Sequence, residues 1–349
     1  MKKIAVIGGG PSGVFFAIKI LQKNQNVDIT IFDKSSLLST ILPTGNGRCN
    51  LTYNEFNPLE LSKFYPRGEK QLISAFTKYN PYDAIEDFKK LGIETYVQDD
   101  NRIFPKSNSS SFVRKKMLEC ISNKVTIIKK EINEIPNNFD YIILATGLKH
   151  GANLAKSLGH TIIPIKKALV GLQIKEKEFL ILEGVSFNDT IFTKNGVSGP
   201  FIYKLSSINA YKSFPYEIKI PLINPIELEE KVKENPKKLF KNVVSDFLPK
   251  SLAKVLIKEN KNCANTTKKE IYSLENLILT ATNTDEKGEI VHAGGVDLSE
   301  IDKNYKSKKY DNVWIIGELL NIDGFTGGFN LQNCWTSASI SAENVLKLL

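Results

Sequence analysis

Residues 2–34, KKIAVIGGGPSGVFFAIKILQKNQNVDITIFDK, constrain the fold more than any other stretch. Residues 4–7 form a short apolar run suited to a buried parallel strand, and Gly8, Gly10 and Gly13 follow as G-x-G-x-x-G. Val14, Phe15, Ile18 and Leu21 recur at three- and four-residue spacing, which predicts a helix. Residues 27–32 predict a second strand, closed by Asp33 twenty residues after Gly13. Strand, glycine turn, helix, strand and terminal acid make a βαβ dinucleotide cradle. Gly8 permits a sharp turn, Gly10 lets backbone approach a pyrophosphate, and Gly13 lets helix pack on strand. Pro11 and Ser12 open a helix whose free N–H groups and dipole face the phosphates. Asp33, with Lys34 beside it, stands where a ribose hydroxyl is bound. The glycines alone do not separate NAD from FAD.

The chain has 349 residues, 42% of them hydrophobic, enough for two or three domains with full cores. No apolar run reaches the length of a membrane span, and the N-terminal apolar run is too short for a signal peptide. Cys49, Cys120, Cys263 and Cys334 are scattered, without C-x-x-C spacing. The expectation is no metal site, no disulfide framework and a reduced, cytoplasmic compartment. A net charge of +9 can attract nucleic acid or anionic lipid. Of 47 basic residues, however, only Arg48, Arg67, Arg102 and Arg114 are arginine, and a coding bias toward Lys explains much of the charge. Where such a chain still uses Arg, a planar, directional contact is expected.

Residues 44–52, TGNGRCNLT, form a loop rich in backbone N–H groups and small polar side chains, suited to a polar ligand. Residues 58–122 read as mostly helical. Pro81 starts one helix, Gly92 ends it, and Ser109 or Ser110 caps another. Residues 95–98 and 102–104 predict short strands. Arg102 is a candidate substrate contact or an ordinary surface salt bridge. Residues 124–132 and 139–144 predict two more strands, the second closing on Thr146 and Gly147. Residues 159–222 turn β-rich, with a helix starting at Pro200 after Ser198 and Gly199. Residues 226–277 are Lys/Glu-rich helices, and 278–296 return to strand, turn and strand. Residues 312–316 predict a buried strand ending at Gly317 and Glu318. A glycine-rich lead-in with Asp323, Gly324, Gly327, Gly328, Asn330, Leu331 and Gln332 then opens a final helix. Its dipole would stabilise negative charge on the ring of a reduced flavin, which points to FAD rather than NAD.

GGGPSG, TGNGRCNLT, RIFP, FTKNGVSGP, AGGV and GELLNIDGFTGGFNLQ occur in one order. Together they resemble the BaiN/RdsA, or HI0933-like, flavoproteins over essentially the whole chain. The resemblance implies an α/β, Rossmann-like FAD domain split by a β-rich insert that carries a small helical insert. The corresponding segments are FAD domain 1–158 and 299–349, β-rich domain 159–225 and 278–298, and helical insert 226–277. By motif position, Gly8, Gly10, Ser12, Gly13 and Asp33 resemble the pyrophosphate and ribose contacts. Thr44, Gly45, Asn46, Gly47, Arg48, Cys49 and Asn50 resemble the loop against the flavin. Thr146 and Gly147 resemble a second FAD motif, and Gly317, Glu318, Asp323, Gly327, Gly328 and Asn330 the flavin-end contacts. Three features depart from the family: a short loop after Gly147, Lys194 where a His is usual, and a trimmed helical insert.

The resemblance further implies an FAD-dependent reductase that uses NAD(P)H to saturate a carbonyl-conjugated C=C bond. Uridine in 23S ribosomal RNA is the leading substrate. A small steroid-like enone or enoate is the alternative, and a flavin-bound RNA-binding protein without turnover is the third reading. With no second G-x-G-x-x-G, nicotinamide and substrate would visit one flavin face in turn. Cys49 is the candidate acid or a packing residue, and Arg48 a candidate for holding a carbonyl or phosphate.

Overall fold

The computed structural model describes residues 1–285 and 291–349. It divides into one unit of Met1–Lys166 with His292–Leu349 and a second of Lys167–Val291. Part of the turn expected within 278–296 falls on residues 286–290, outside the described residues.

The first unit holds a five-stranded parallel sheet. Its spatial order is Val313–Ile315, Tyr141–Leu144, Lys2–Ile7, Val27–Asp33 and Thr126–Lys129. Val6 stands in register with Ile31 on one side and Ile143 on the other. The chain builds outward from its first strand in one direction, then returns and builds in the other. The carboxyl ends of Lys2–Ile7 and Tyr141–Leu144 therefore flank the switch point, where doubly wound sheets hold ligands. The strand expected over 124–132 is only Thr126–Lys129, at the sheet edge and exposed along its length. The expected loop after Gly147 contains the helix Leu148–Ser157, which buries Leu148, Ala152 and Ala155 on one face.

Helix Pro11–Lys23 packs against the C-terminal helix Phe329–Leu346. The latter is buried on nearly every side and rich in Ser, Thr and Ala, whose small side chains permit close approach. Two of its hydroxyls are satisfied locally or across the core: Ser337 Oγ donates to the Asn333 carbonyl at 2.7 Å, Thr336 Oγ1 to the Tyr79 carbonyl at 3.1 Å. Trp335 meets Phe15 and Phe88 edge-on at 5.1 and 5.2 Å. Burying a ring of that size stabilises by roughly 4–6 kcal/mol before entropy is counted. Pro81 and Ser109 act as expected. Asn80 and Asp83 make a capping box on Pro81–Lys90, and Ser109 Oγ accepts the Phe112 N–H. Thr52–Tyr53, Arg102–Pro105 and Thr95–Val97 form a small antiparallel sheet with Arg102–Pro105 at its centre.

The second unit has a six-stranded antiparallel sheet ordered Ser186–Phe187, Thr190–Thr193, Gly196–Ser198, Leu172–Ile174, Asn276–Thr284, Tyr216–Pro221. The helices Pro225–Glu234, Phe240–Val244 and Lys250–Leu256 share one apolar cluster with its buried face.

Within the first unit, His160 is buried between Glu300 Oε2, 2.8 Å from Nδ1, and Ser307 Oγ, 3.1 Å from Nε2. Ser307 Oγ also accepts the amide of Lys309, so the trio is a structural clasp. Burial alone would raise the Glu300 carboxyl. The Thr161 hydroxyl and amide, Lys309 and His160 outweigh it and bring the pKa down to about 2. A depressed carboxyl stabilises the fold above its unfolded pKa, and that stability is lost as pH falls through the folded value. Acid unfolding of the wild type should therefore draw on Glu300 between about pH 4.5 and about pH 2. In Glu300→Gln that part of the pH dependence should vanish, measured as unfolding free energy against pH.

Candidate active site

At the switch point two backbones meet directly. Gly8 has φ +110°, and a Cβ there would sit 2.3 Å from the Ala145 carbonyl oxygen. A Cβ on Gly13 would lie 2.0 Å from the Gly8 carbonyl oxygen. Gly10 differs: nothing lies within 4 Å of where its Cβ would be, and the same holds at Gly147. The space at Gly10 borders the first turn of Pro11–Lys23, a place suited to a pyrophosphate. Ser12 is buried, and its Oγ would lie 2.5 Å from a Cβ on Gly317. Asp33 Oδ2 accepts the Gly9 N–H at 2.6 Å, and Oδ1 accepts the Ser35 amide at 2.7 Å and hydroxyl at 2.8 Å. A carboxylate offers about four lone-pair sites, so capacity remains for a ribose hydroxyl. Lys34 is exposed and drawn aside, 2.9 Å from Glu131 and 2.8 Å from His150 Nδ1.

The loop at 44–50 is wound tightly. Gly45, Asn46, Gly47 and Cys49 all have positive φ. The Thr44 carbonyl accepts the N–H groups of both Gly47 and Cys49, and Thr44 Oγ1 donates to Ile41. The Arg48 guanidinium lies on the Phe104 ring, 4.1 Å from its centroid, with Nε donating to the Gly45 carbonyl at 3.2 Å. Arg102 reaches the same ring at 5.6 Å and pairs with Asp100 at 2.6 Å. The loop and the C-terminal lead-in meet: a Cβ on Gly328 would lie 2.9 Å from Asn50 Oδ1. Thr52 Oγ1 contacts Gln332 Oε1 at 2.6 Å, and Trp335 Nε1 donates to the Leu51 carbonyl at 2.8 Å.

The lead-in is fixed by its own side chains. Asn330 accepts the Gly324 N–H and donates to the Gly324 carbonyl, both at 2.9 Å, while Leu331 is half-buried behind it. Gly327 is held against the Phe329 ring. Asp323 is buried and makes a two-pronged ion pair with Arg67. Glu318 is reached by solvent yet closely surrounded by protein. Loss of water around its carboxyl, and then the nearby Asp323, raise its pKa.

Cys49 does not fit the role of an open acid. It is fully buried, and desolvation pushes its thiol up to about 12 against a smaller opposing effect of Thr44. A donor must accommodate the charge it leaves behind, and this pocket disfavours a thiolate. In the second unit, Lys194 is exposed on the turn joining Thr193 to Gly196, and Ser198 Oγ donates to Tyr203 Oη at 3.1 Å. Sequence reasoning gave no role to Arg67; its rarity in a Lys-biased chain was the available signal.

These residues fit a flavin dinucleotide. Asn50 Oδ1, Thr146 Oγ1 and Asn333 Oδ1 are buried without a hydrogen-bond partner among the described residues, and open space borders Gly10 and Gly147. A ligand rich in hydroxyl, phosphate and ring N–H groups supplies what such atoms lack. Fold and site together define an FAD-dependent oxidoreductase. The HI0933-like protein Rossmann domain family matches residues 2–146 and 142–344, so the chain belongs to the HI0933-like family. It is 25% identical to the ribosomal RNA dihydrouridine synthase of Haemophilus influenzae, over 97% of each chain. It is also 25% identical to the 3-dehydro-bile acid delta(4,6)-reductase of Clostridium scindens, over 98% of each. Among solved structures, 3-ketosteroid delta1-dehydrogenase from Sterolibacterium denitrificans shares the fold with a TM-score of 0.54 at 11% identity, each chain covered in full. Among the described residues no helix is long and apolar enough to cross a membrane, and no group of three or more His, Cys, Asp or Glu is placed to hold a metal.

Removing one partner of a buried ion pair typically costs about 3–5 kcal/mol, because the other charge is stranded. Arg67→Ala should lose stability of that order and release FAD more readily. Arg67→Lys, which keeps the charge but not the fork, should fall between, read by denaturant unfolding and by flavin fluorescence on dilution.

Proposed function

We propose that the protein saturates a carbonyl-conjugated C=C bond with NAD(P)H as donor, and that its substrate is uridine in 23S ribosomal RNA. The observation that carries this is the full-length likeness to two reductive enzymes whose named products or substrates share that bond. Dihydrouridine is uridine with its ring C=C saturated, and a delta(4,6)-reductase acts on C=C bonds conjugated to a ketone. Bound FAD supplies hydride transfer between a nicotinamide and an electron-poor carbon. The chain supplies the rest. The Arg48 guanidinium is held over the Phe104 ring, with Nε bonded to the Gly45 carbonyl, and carries further N–H donors. Negative charge develops on the substrate carbonyl as hydride adds at the far end of the conjugated system, and a pre-set guanidinium stabilises it there. The equal identity to the bile-acid enzyme favours a small enone as the second reading.

Mass spectrometry of ribosomal RNA from cells with and without the gene tests the substrate. Dihydrouridine should be lost without the gene, and unchanged levels would remove RNA from the reading. Within the site, Arg48→Lys should lower kcat by about 10²–10³ if a planar donor is needed at the carbonyl. Cys49→Ala should keep turnover within about threefold of wild type, whereas a large fall in the proton-transfer step would restore the thiol as acid.

A further inference from the structure

We propose that residues 231–269 of the second unit form a docking surface for the phosphate backbone of RNA. This rests on the reading that the substrate is RNA, and it adds where that RNA is held. These 39 residues contain eleven lysines against Glu234, Asp246 and Glu259; with the flanking Glu227, Glu229, Glu230, Glu270 and Glu275, the helical segment 226–277 carries a net charge of +3. Glu229 pairs with Lys233 and Lys268 and Glu270 with Lys261, so the remaining excess sits on lysines without an acidic partner.

The fold turns this charge outward. Leu228, Val232, Phe240, Val243, Val244, Leu252 and Ala253 are buried in the apolar cluster, while Lys237, Lys250, Lys254, Lys258 and Lys269 are exposed. Among the described residues these five have no acidic partner within salt-bridge reach. Lys250 and Lys254 stand one turn apart on Lys250–Leu256, where like charges repel. The Phe240 N–H donates to the Lys261 carbonyl and the Cys263 N–H to the Lys238 carbonyl, both at 2.9 Å. Those bonds lay the chain around Lys237, Lys238 and Lys241 beside the chain around Lys261. Lys238 is paired with Asp246, and Lys261 with Glu259 and Glu270, which leaves the five unpartnered lysines as the charge a polyanion would neutralise.

The same residues narrow the partner. No large hydrophobic side chain between 231 and 269 is exposed among the described residues, so the surface lacks the apolar face that a membrane or a protein interface core needs. It carries no arginine, so it has none of the planar forks that read base edges or bind carboxylates in pairs. Mobile point charges without directional donors suit phosphates, which position a nucleic acid without reading its sequence.

The test uses the full-length FAD-loaded protein and a transcribed fragment of 23S ribosomal RNA, with affinity followed by fluorescence anisotropy across a salt series. Each phosphate contact contributes a slope of about 0.7 in log Kd against log salt for single strands. The quadruple variant Lys237→Gln, Lys250→Gln, Lys254→Gln, Lys258→Gln should lower the slope by about three and weaken binding at least tenfold. Flavin reduction by NADPH and thermal unfolding should be unchanged. A control neutralising Lys2, Lys63, Lys106 and Lys116, each already paired with an acid, should bind nearly as wild type. Equal slopes and affinities for wild type and quadruple variant would overturn the proposal, as would polyglutamate of matched charge binding as tightly as RNA. Docking and chemistry separate cleanly. Binding lost in the variant, with no dihydrouridine made even by wild type, leaves the surface standing and removes the reaction. Dihydrouridine formed by the variant with unchanged KM for RNA does the reverse.

Discussion

The structure turns on how closely two backbones approach at the sheet's switch point. The Gly8 N–H donates to the Phe32 carbonyl at 2.8 Å, while a side chain on Gly8 would strike the Ala145 carbonyl. That contact joins the end of the first strand to the end of a strand more than a hundred residues later. It leaves the N-terminus of Pro11–Lys23 facing open space. Any larger residue at Gly8 would push the two strand ends apart and tilt the helix that starts at Pro11. The site is thus a by-product of packing: the sheet places it where helices cannot cover both strand ends.

The far end of the site is assembled by a different device. The C-terminal helix is buried on nearly all sides, yet its residues are largely small and polar. Such a helix cannot be held by bulk burial alone. It is held by directed bonds: Trp335 to the Leu51 carbonyl, Gln332 with Thr52, Thr336 to the Tyr79 carbonyl, Ser337 accepting the Gly317 N–H. Buried hydrogen bonds of this kind contribute little net energy each but are costly to break. They fix register, so the loop carrying Arg48 and the turn carrying Asp323 arrive together. That convergence brings residues from opposite ends of the chain to one place.

Much of this was legible in the sequence because local chemistry set it. The βαβ start, the proline and serine starts of helices, and the β-rich second unit follow from spacing and turn residues. What was not legible depended on distant partners. Cys49 reads as reactive from its polar neighbours, but its burial comes from a fold that no local window reports. Residues 148–157 read as a family loop cut short, although Leu148, Ala152 and Ala155 already had helical spacing; the motif before them drew attention away. Residues 124–132 read as a full strand, yet an edge with few neighbours ordered only four of them. Arg67 could be noticed but not assigned, because Asp323 lies more than 250 residues away.

The four arginines show why that residue was kept at all. Arg48 lies over the Phe104 ring, Arg67 grips Asp323 with both prongs, Arg102 joins Asp100 to the same phenyl ring, and Arg114 Nε donates to the Leu37 carbonyl at 2.9 Å. The two-pronged grip of Arg67 is one that an ammonium cannot copy. All four lie in the first unit, and none falls within the lysine-rich stretch at 231–269. The chain therefore uses its two cations for two tasks. Where a guanidinium must lie over a ring or grip a buried carboxylate, it spends a rare arginine. Where charge alone suffices, lysine is enough: on the proposed docking surface a flexible ammonium would follow the shifting phosphates of a polyanion.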